Sequence, residues 1–531
     1  MKLLEKNIQR IVIILLITIY ILLAFKKIYS SDSLIPNLEP YPDSLYYSVP
    51  AWNFVHGDRF EMKTQKTILK QETPPLYGIY LVPFFALSND PRSFYFANML
   101  LAIGSIIIFT RTTRKIFGGE DVYGGFLTFF LGFFLVTNFY FYTIPQLLMA
   151  EPITLFLIVL GIFLLVADIT LPIILLASQL GVLLILVKFS NIPLALIFSC
   201  LYLLRLWQNK KTKGSLRLYL FGVGIGCLYF LAYIFGSKIL IGHKNSGADF
   251  QFGLFRSGIS YYVNILLGRA GAYYLWYPEK FIPSTVAILS VLGVLVGIFA
   301  KEYRRTTLSL VGLIGSVLIF MSFFVYKDIR YIFAILPAYI ILSGFFVQKV
   351  AQKTNKNYAI ALMLVVIVLS LFVKSQGYRE NEAAVLSFKK QVGLNLRHRE
   401  VPWNYEAVQI FNSFSKNMDP EKTYIGTYLP PPYIDLFSNK KYKTLPLSAT
   451  QEFYWLDEPL VKNVIGEDLV GQYKKLLRGG NSVYVTRYYQ SNRPEQWPLQ
   501  YDSLTSNFAV KKVYSGCLGA CDIYQLALVF K

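Results

Sequence analysis

Apolar residues along this chain are grouped in long blocks that are separated by polar connectors. The first block covers residues 8–25, and no small-x-small cleavage site follows it, which favours an uncleaved helix over a signal peptide. Ten further blocks cover 93–110, 124–142, 147–167, 171–187, 192–204, 216–235, 283–300, 308–325, 331–347 and 360–373. Because most of these blocks match the ~30 Å hydrocarbon core of a bilayer, the pattern predicts an all-α polytopic membrane domain with about 11 transmembrane helices.

Basic residues in the connectors indicate the orientation of these helices. Alternate connectors are basic, and their Lys and Arg residues are Arg111, Arg114, Lys115, Arg205, Lys210, Lys211, Lys213, Arg217, Lys301, Arg304, Arg305, Lys349, Lys353 and Lys356. By the positive-inside rule these connectors and the N-terminus are cytoplasmic. The sequence therefore predicts a multi-pass protein of the cytoplasmic (plasma) membrane, with the loops 26–92 and 238–282 and the tail 374–531 outside.

The tail differs from the rest of the chain in composition. It carries mixed charge, strand-like runs at 481–489, 509–514 and 523–530, and a helical stretch at 468–478 that ends at two glycines. These features predict a small extracytoplasmic α/β domain at 374–531. The transmembrane domain then covers 1–373 and includes the first outer loop, 26–92.

Composition agrees with the membrane assignment. Hydrophobic residues make up 54% of the 531 residues and charged residues only 16%, against roughly 25% charged in a typical soluble domain. The formal net charge is +21, but the basic residues lie in connectors and are not interleaved with aromatics along one helix, as in a nucleic-acid-binding surface. Membrane lipids, and no nucleic acid, are therefore the expected surroundings.

Cysteine and histidine are too scarce for several kinds of site. The only histidines are His56, His243 and His398, which leaves little material for a Ser-His-Asp triad or a multi-histidine metal site. Cys517 and Cys521 lie close together in the outer tail, where an oxidising compartment favours a disulfide over two free thiols. Two cysteines with no nearby histidine are a poor zinc site.

Two carboxylates stand out in the membrane half. Asp43 precedes a stretch in which Leu45, Val49 and Trp52 recur at helical spacing, which predicts an amphipathic interfacial helix. Asp43 is then either a helix N-cap or a functional acid. Glu151 opens a span from the outer side, where it is either a first-turn acid favoured by the helix dipole or a functional acid at a wet cavity.

The motifs around Asp43 occur together in one known group of enzymes. Asp43 opens an aromatic helix, Asn53 and Gly57 follow, and Pro-Pro-Leu-Tyr ends at Tyr77. Further matches come in the same order at 111–117, 150–152, Arg330-Tyr331 and Pro337. Up to about residue 350, the sequence resembles the GT-C glycosyltransferases, in the branch of protein O-mannosyltransferases and aminoarabinose transferases.

This resemblance implies a function and a set of site residues. It implies transfer of a sugar from a polyprenyl-phosphate donor lipid to a glycolipid, glycan or protein acceptor on the outer face, with Asp43 as the base. One carboxylate suffices for inversion because the phosphate leaves as an anion. The substrate groove is expected to include Tyr46, Tyr47, Glu72 and Tyr77, and Glu151 is expected to position the acceptor or the base.

The leaving phosphate requires a cation or a helix N-terminus nearby. The candidates at the outer ends of the spans are Lys188, Arg256, Arg269, Lys280 and Arg330, all of which also suit ordinary snorkelling at the interface. Many relatives carry Lys just before the first proline of the loop motif, where this chain has Thr73. That difference shifts the expected phosphate contact to Lys188 and Arg330.

Other functions and donors stay open at this stage. A lipid or glycan transporter or flippase is less favoured because the sequence shows no internal repeat and its charges lie at span ends. A non-catalytic membrane scaffold is the third class. A diphosphate donor is an alternative to a monophosphate donor. No cofactor is predicted beyond a divalent metal ion, for which Asp43 and Glu151 are candidate ligands.

Overall fold

The computed structural model describes most of the membrane half of the chain and part of the tail. The described residues are 2–29, 43–63, 73–88, 93–118, 121–146, 148–208, 213–237, 250–268, 281–324, 329–371, 410–427, 431–438, 443–447, 468–486, 496–515 and 522–529. They belong to two compact units. The helical unit holds those within 1–27, 73–77 and 95–394, and the mixed unit holds those within 28–72, 78–94 and 395–531.

The helices are numbered along the chain. They are α1 (Lys2–Tyr29), α2 (Asp43–Val55), α3 (Leu76–Leu87), α4 (Phe94–Phe117), α5 (Val122–Val136), α6 (Phe139–Thr143), α7 (Glu151–Val166), α8 (Leu171–Val187), α9 (Ile192–Gln208), α10 (Lys213–Ser237), α11 (Phe255–Leu266), α12 (Ser284–Phe299), α13 (Arg304–Ser322), α14 (Leu336–Lys353), α15 (Lys356–Leu371), α16 (Pro431–Ser438), α17 (Leu469–Arg478) and α18 (Gln496–Thr505).

Every predicted span contains a helix of the helical unit. Among the described residues, six helical segments are long and apolar enough to cross a membrane: Asn7–Ala24, Phe94–Phe117, Phe189–Gln208, Gly214–Tyr233, Arg304–Ser322 and Phe333–Lys353. The other five predicted spans correspond to the shorter apolar helices α5, α7, α8, α12 and α15. The prediction of an all-α polytopic membrane domain followed by a small domain with a sheet is confirmed.

Basic side chains in the last turns of two helices make polar contacts with the end of α7 and the connector that follows it. Lys115, in the last turn of α4, lies 2.7 Å from the carboxylate of Asp168, in the connector between α7 and α8. This hydrogen bond holds the pKa of Asp168 below its ordinary value. The guanidinium of Arg205 donates to the carbonyl oxygens of Leu164 and Ala167 at the end of α7. These contacts satisfy carbonyls that the last turn of a helix leaves without an intrahelical partner.

Helices α12 and α14 approach each other to backbone contact. The hydroxyl of Ser290 donates to the carbonyl oxygen of Tyr339 across the interface at 2.9 Å. One turn further along α12, a Cβ atom on Gly293 would collide with the carbonyl oxygen of Leu342. Small residues permit such close packing of membrane helices, where van der Waals contact replaces the hydrophobic effect as the driving force.

Replacing Gly293 by Ala is expected to destabilise the helical unit. The added methyl group has no space against Leu342, and overpacking of this kind costs about 1–3 kcal/mol. We expect a lower midpoint of thermal unfolding in detergent. Gly224→Ala in α10 is the matched control, since a Cβ there meets no atom within 4 Å. Equal midpoints for the two variants would contradict the close contact.

The first helix of the mixed unit is enclosed. Helix α2 confirms the helical prediction for the first outer loop, but every residue from Ser44 to Asn53 is buried, so the predicted amphipathic character is wrong for this part of the helix. Its polar groups bond within the unit: the hydroxyl of Ser48 donates to the Ser44 carbonyl, and the amide of Asn53 donates to the carbonyls of Glu61 and Lys63. Helix α2 packs against α16.

The tail contains a five-stranded mixed sheet. Its strands are β1 (Thr423–Gly426), β2 (Lys443–Leu445), β3 (Ser482–Thr486), β4 (Ala509–Tyr514) and β5 (Ile523–Ala527). They lie in the order β2-β1-β3-β5-β4. Strands β1, β2 and β3 are parallel, whereas β5 is antiparallel to β3 and β4. Helix α16 follows β1 and α17 precedes β3, so the tail is the small α/β domain that the sequence predicts.

The core of this domain lies between the sheet and its helices. Its buried residues are Leu445, Leu447, Tyr473, Val483, Val485, Tyr501, Leu504, Phe508 and Leu526. The hydroxyl of Tyr473 donates to the carbonyl of Pro446 at 2.9 Å. A Cβ on Gly426 would meet this same hydroxyl, so glycine at the end of β1 allows α17 to lie close to the sheet. The carboxyl ends of β1 and β3 are thereby held together on a packed core.

Candidate active site

Two of the predicted site residues form a buried ion pair in the helical unit. The ammonium Nζ of Lys188 lies 2.8 Å from Oε1 of Glu151, and the side chains are only 21% and 7% exposed. Burying two charges costs several kcal/mol per ion unless each finds a partner of good geometry. Glu151 and Lys188 therefore satisfy each other, although the sequence suggested a separate role for each.

The positions of the two residues follow from the ends of their helices. Glu151 is the first residue of α7, with Pro152 in the first turn, and Lys188 follows the last residue of α8. A carboxylate at a helix N-terminus and a cation at a helix C-terminus both complement the helix dipole. Because α7 and α8 are consecutive and pack together, the start of α7 meets the end of α8.

Tyr331 brings a second cation to this pair. The ammonium of Lys188 lies 5.3 Å from the centre of the Tyr331 ring, and the guanidinium carbon of Arg330 lies 5.2 Å from the same centre. Both distances are within the range of a cation–π contact. We call Glu151, Lys188, Arg330 and Tyr331 the charged cluster. It contains two cations and one carboxylate.

A polar contact next to the cluster fixes the end of α8 to the start of α7. The amide nitrogen of Asn191 donates to the Thr154 hydroxyl at 3.1 Å and to the Leu184 carbonyl at 3.1 Å. Thr154 is one turn after Glu151, and Leu184 is one turn before Lys188. Asn191 and Thr154 are buried, so this contact holds the two helix ends at the spacing of the ion pair.

A second buried contact joins two of the sequence motifs. The hydroxyl of Tyr77, at the end of Pro-Pro-Leu-Tyr, donates to Oδ1 of Asn98 at 2.8 Å, and Nδ2 of Asn98 donates to the Pro145 carbonyl at 3.0 Å. Tyr77 and Asn98 are fully buried. Pro145 begins the short segment that leads to Glu151. The contacts of Tyr77 therefore support the segment before Glu151.

Replacing Asn98 by Ala is expected to loosen this segment. The change removes both hydrogen bonds in a buried place, at a cost of about 1–3 kcal/mol in stability. Ser105→Ala is the control on the same helix, because the Ser105 hydroxyl donates only to the Leu101 carbonyl one turn before it. Thermal unfolding in detergent measures both variants. A stable Asn98→Ala protein would show that the contact does not hold the segment.

The predicted site residues of the first outer loop lie on α2 or outside the described residues. Asp43 is the first residue of α2, and its side chain lies outside the described residues, as does Glu72. Tyr46 and Tyr47 are 6% and 4% exposed. The Trp52 indole packs against His56 and edge-on against Phe85. The loop motif thus produces a buried aromatic helix with an acid at its first position.

The remaining predicted site residues are not among the described members of the charged cluster. Arg256 is exposed on α11. Arg269, Lys280, Cys517 and Cys521 lie outside the described residues, so the disulfide stays a prediction. Within the described parts of the chain, no group of three or more His, Cys, Asp or Glu residues is close enough to hold a metal ion. The one described acid of the proposed metal pair, Glu151, contacts Lys188.

The sequence interpretation missed several residues that build this site. It noted Tyr331 only as part of a motif, although its ring lies beside both cations. It also missed Asn98 and Asn191, which hold the segments around Glu151. A polar side chain within or next to an apolar span is costly to bury and needs a partner. The position of these asparagines in or beside predicted spans was therefore the signal that the sequence offered.

Comparison with known proteins supports the fold described above, in which membrane helices are followed by a small α/β domain. The sequence model of the Alg9-like mannosyltransferase family matches residues 265–393. No curated protein sequence is significantly similar to this chain.

Solved structures match nearly the whole chain. ArnT from Cupriavidus metallidurans bound to undecaprenyl phosphate has a TM-score of 0.59 at 13% identity, over 96% of this chain and 97% of ArnT. The apo state of the same protein has a TM-score of 0.56 at 14% identity, with the same coverage. An oligosaccharyltransferase from Archaeoglobus fulgidus, tethered with an acceptor peptide, covers 100% of this chain and 75% of its own at 11% identity, with a TM-score of 0.48.

The likeness to ArnT extends from the first helix into the tail, so it includes both the membrane helices and the α/β domain. The family match covers α12, α13, α14 and α15 of the helical unit. The chain therefore has the fold of ArnT, in agreement with the resemblance seen in the sequence motifs.

Proposed function

We propose that this protein transfers one sugar from a polyprenyl-phosphate donor to an acceptor at the outer face of the cytoplasmic membrane. The observation that carries the proposal is the charged cluster in the helical unit of a GT-C fold. ArnT, which has the same fold, is bound to undecaprenyl phosphate in its solved structure. A lipid with a phosphate head group is the corresponding ligand for this chain.

The charged cluster suits the phosphate of such a donor. The ammonium of Lys188 and the guanidinium of Arg330 both lie close to the centre of one aromatic ring, and Glu151 contacts Lys188. Charge-assisted hydrogen bonds to phosphate are about twice as strong as neutral ones, and Arg adds a planar pair of donors. In this proposal Arg330 contacts the phosphate directly, and Glu151 orients Lys188 toward it.

Asp43 is the proposed base. Its carboxylate takes the proton of the acceptor nucleophile, a hydroxyl group in the simplest case, whose oxygen forms the new bond to C1 of the sugar. The bond between C1 and the phosphate oxygen breaks, and its electron pair leaves with the polyprenyl phosphate. The leaving group is already anionic, so no acid is needed, and attack from the opposite face inverts C1.

The proposed orientation follows from the basic connectors. The N-terminus is cytoplasmic, and the α/β domain lies outside. Acceptors of three kinds fit this location: a glycolipid, a glycan or a protein.

The test is the release of free polyprenyl phosphate by the purified protein in detergent. The donors are a panel of polyprenyl-monophosphate sugars with matched polyprenyl-diphosphate sugars, and a membrane extract supplies acceptors. We expect release from one monophosphate donor that rises when extract is added. Release from a diphosphate donor only would overturn the monophosphate assignment. Release from no donor would overturn the proposal in favour of a transporter or a scaffold.

A further inference from the structure

Two arginines from different helices come together at one end of the helical unit. Arg205 lies in the last turn of α9, and Arg305 lies in the first turn of α13. The two helices pack together, and a Cβ on Gly312 of α13 would lie 3.9 Å from Cδ1 of Ile197 on α9. Arg205 is about two turns after Ile197, and Arg305 is about two turns before Gly312. The charges of the two arginines are close enough to repel each other.

Arg205 is held in place but keeps donors for a ligand. Its guanidinium donates to the carbonyls of Leu164 and Ala167 at the end of α7, and its central carbon lies 5.9 Å from the centre of the Tyr202 ring. A guanidinium has five N–H donors, so donors remain after these two hydrogen bonds. Carbonyl groups and a neutral ring carry no net charge. These contacts therefore orient Arg205 without neutralising it.

The described acids near this end of the unit have partners of their own. Asp168 attracts Arg205, but its carboxylate contacts Lys115 at 2.7 Å. Glu302, in the connector before α13, interacts with the hydroxyl of Tyr303, which also accepts a hydrogen bond from α14. Among the described residues, neither acid forms an ion pair with an arginine of this end.

Arg305 is the less satisfied of the two arginines. It is exposed, and no hydrogen bond or ion pair joins it to another residue in the parts of the chain that the structure describes. The connector 209–212, which follows α9, reads Asn-Lys-Lys-Thr and contributes no acid. Like charges that are held close together repel each other unless an anion lies between them. The end of α9 and the start of α13 therefore suit an anion from outside the protein.

Apolar surface beside the arginines makes a lipid the fitting source of this anion. Leu204 on α9 and Leu308 on α13 lie within one turn of the two arginines and are 49% and 52% exposed. Trp207, in the last turn of α9, is 74% exposed, as is typical at the boundary between the hydrocarbon and the head groups. An amphiphile can place its acyl chains against these apolar side chains and its phosphate against the arginines.

We propose that Arg205 and Arg305 bind the phosphate of an anionic phospholipid in the leaflet at this end of the helices. Basic pockets between membrane helices bind anionic head groups on the cytoplasmic side, which is the predicted side of this end. Helix α7 has 16 residues and is about 24 Å long. The charged cluster lies at its start, whereas Arg205 contacts its end. The lipid site is therefore separate from the proposed donor site, and binding here does not depend on sugar transfer.

The test measures lipid binding to the full-length protein, delipidated in a non-ionic detergent, by native mass spectrometry. The probes are phosphatidylglycerol and phosphatidylcholine with the same acyl chains. We expect phosphatidylglycerol to bind more tightly. Arg305→Gln should weaken its binding about 10-fold, as for loss of a charge-assisted hydrogen bond. Arg305→Lys keeps the charge and should keep most of the affinity.

Arg10→Gln is the matched control for this change. Arg10 is also exposed at the predicted cytoplasmic side, but it lies on α1, which packs against α5. The variant loses the same charge in another part of the helical unit, so its affinity for phosphatidylglycerol should stay near the wild-type value. Both side chains are exposed, so the thermal midpoints of the two variants should also stay near that of the wild type.

Three results would overturn this inference. Equal affinity of the wild type for the two lipids would show that the arginines do not recognise an anionic head group. Equal binding of phosphatidylglycerol by Arg305→Gln and Arg10→Gln would assign the binding to the overall positive charge of the protein. Displacement of phosphatidylglycerol by inorganic phosphate at equal concentration would assign the site to a free anion in place of a lipid.

Discussion

Asp43→Asn is expected to lower polyprenyl phosphate release about 10²- to 10⁴-fold, because an amide accepts no proton from the attacking hydroxyl. The loss should appear in kcat, since the base acts in the transition state and not in donor binding. Helix α2 begins at this residue, and Asn is as good an N-cap as Asp, so the fold should survive. Release rates and thermal midpoints of the two proteins are measured together.

Asp58→Asn is the matched control for this change. Asp58 is a second acid of the same loop, and its carboxylate contacts Lys63 at 2.9 Å in a partly exposed pair. Loss of a partly exposed pair has only a modest effect on stability, so near wild-type release is expected. If Asp43→Asn keeps wild-type release, Asp43 is only a helix cap, and the proposed base is wrong.

Lys188→Met is expected to be the most damaging single change for stability. It leaves the Glu151 carboxylate buried without its ion-pair partner, and breaking a buried pair in this way costs about 3–5 kcal/mol. The thermal midpoint in detergent should fall clearly below that of the wild type. Lys115→Met is the control, because the Lys115–Asp168 pair is largely exposed and its loss should leave the midpoint close to unchanged.

The double change Glu151→Gln with Lys188→Met separates structure from function. Removing both charges removes the unpaired carboxylate, so the double variant should recover much of the lost stability. Donor use should stay low, because a cation of the proposed phosphate site is still missing. Wild-type release from the stable double variant would show that the ion pair only joins α7 to α8.

The membrane helices were predictable because each one obeys a constraint that is local in sequence. A span must satisfy its own backbone in lipid and must be about as long as the bilayer is thick. Even the short helices α5 and α15 therefore stand out as apolar blocks. The basic connectors carry a second local signal. Helix ends were less predictable, and α4 runs to Phe117, beyond the predicted end at residue 110.

The site was only partly predictable, because its contacts join distant parts of the chain. The sequence indicated Glu151 and Lys188 separately, but nothing in their spacing shows that α7 and α8 bring them within 2.8 Å. The motif around Asp43 predicted a helix with a polar face, whereas the residues from Ser44 to Asn53 are buried and α16 packs against the helix.

The packing of α2 against α16 has a consequence for biosynthesis. At roughly 5–20 residues per second, the ribosome completes α16 on the order of 20–80 s after α2. During that interval Leu45, Val49 and Trp52 of α2, which are buried in the finished protein, have no helix of the tail to cover them. The nascent chain must shelter this helix in the lipid interface or on a chaperone. Truncation within the tail should therefore expose the first outer loop to proteases.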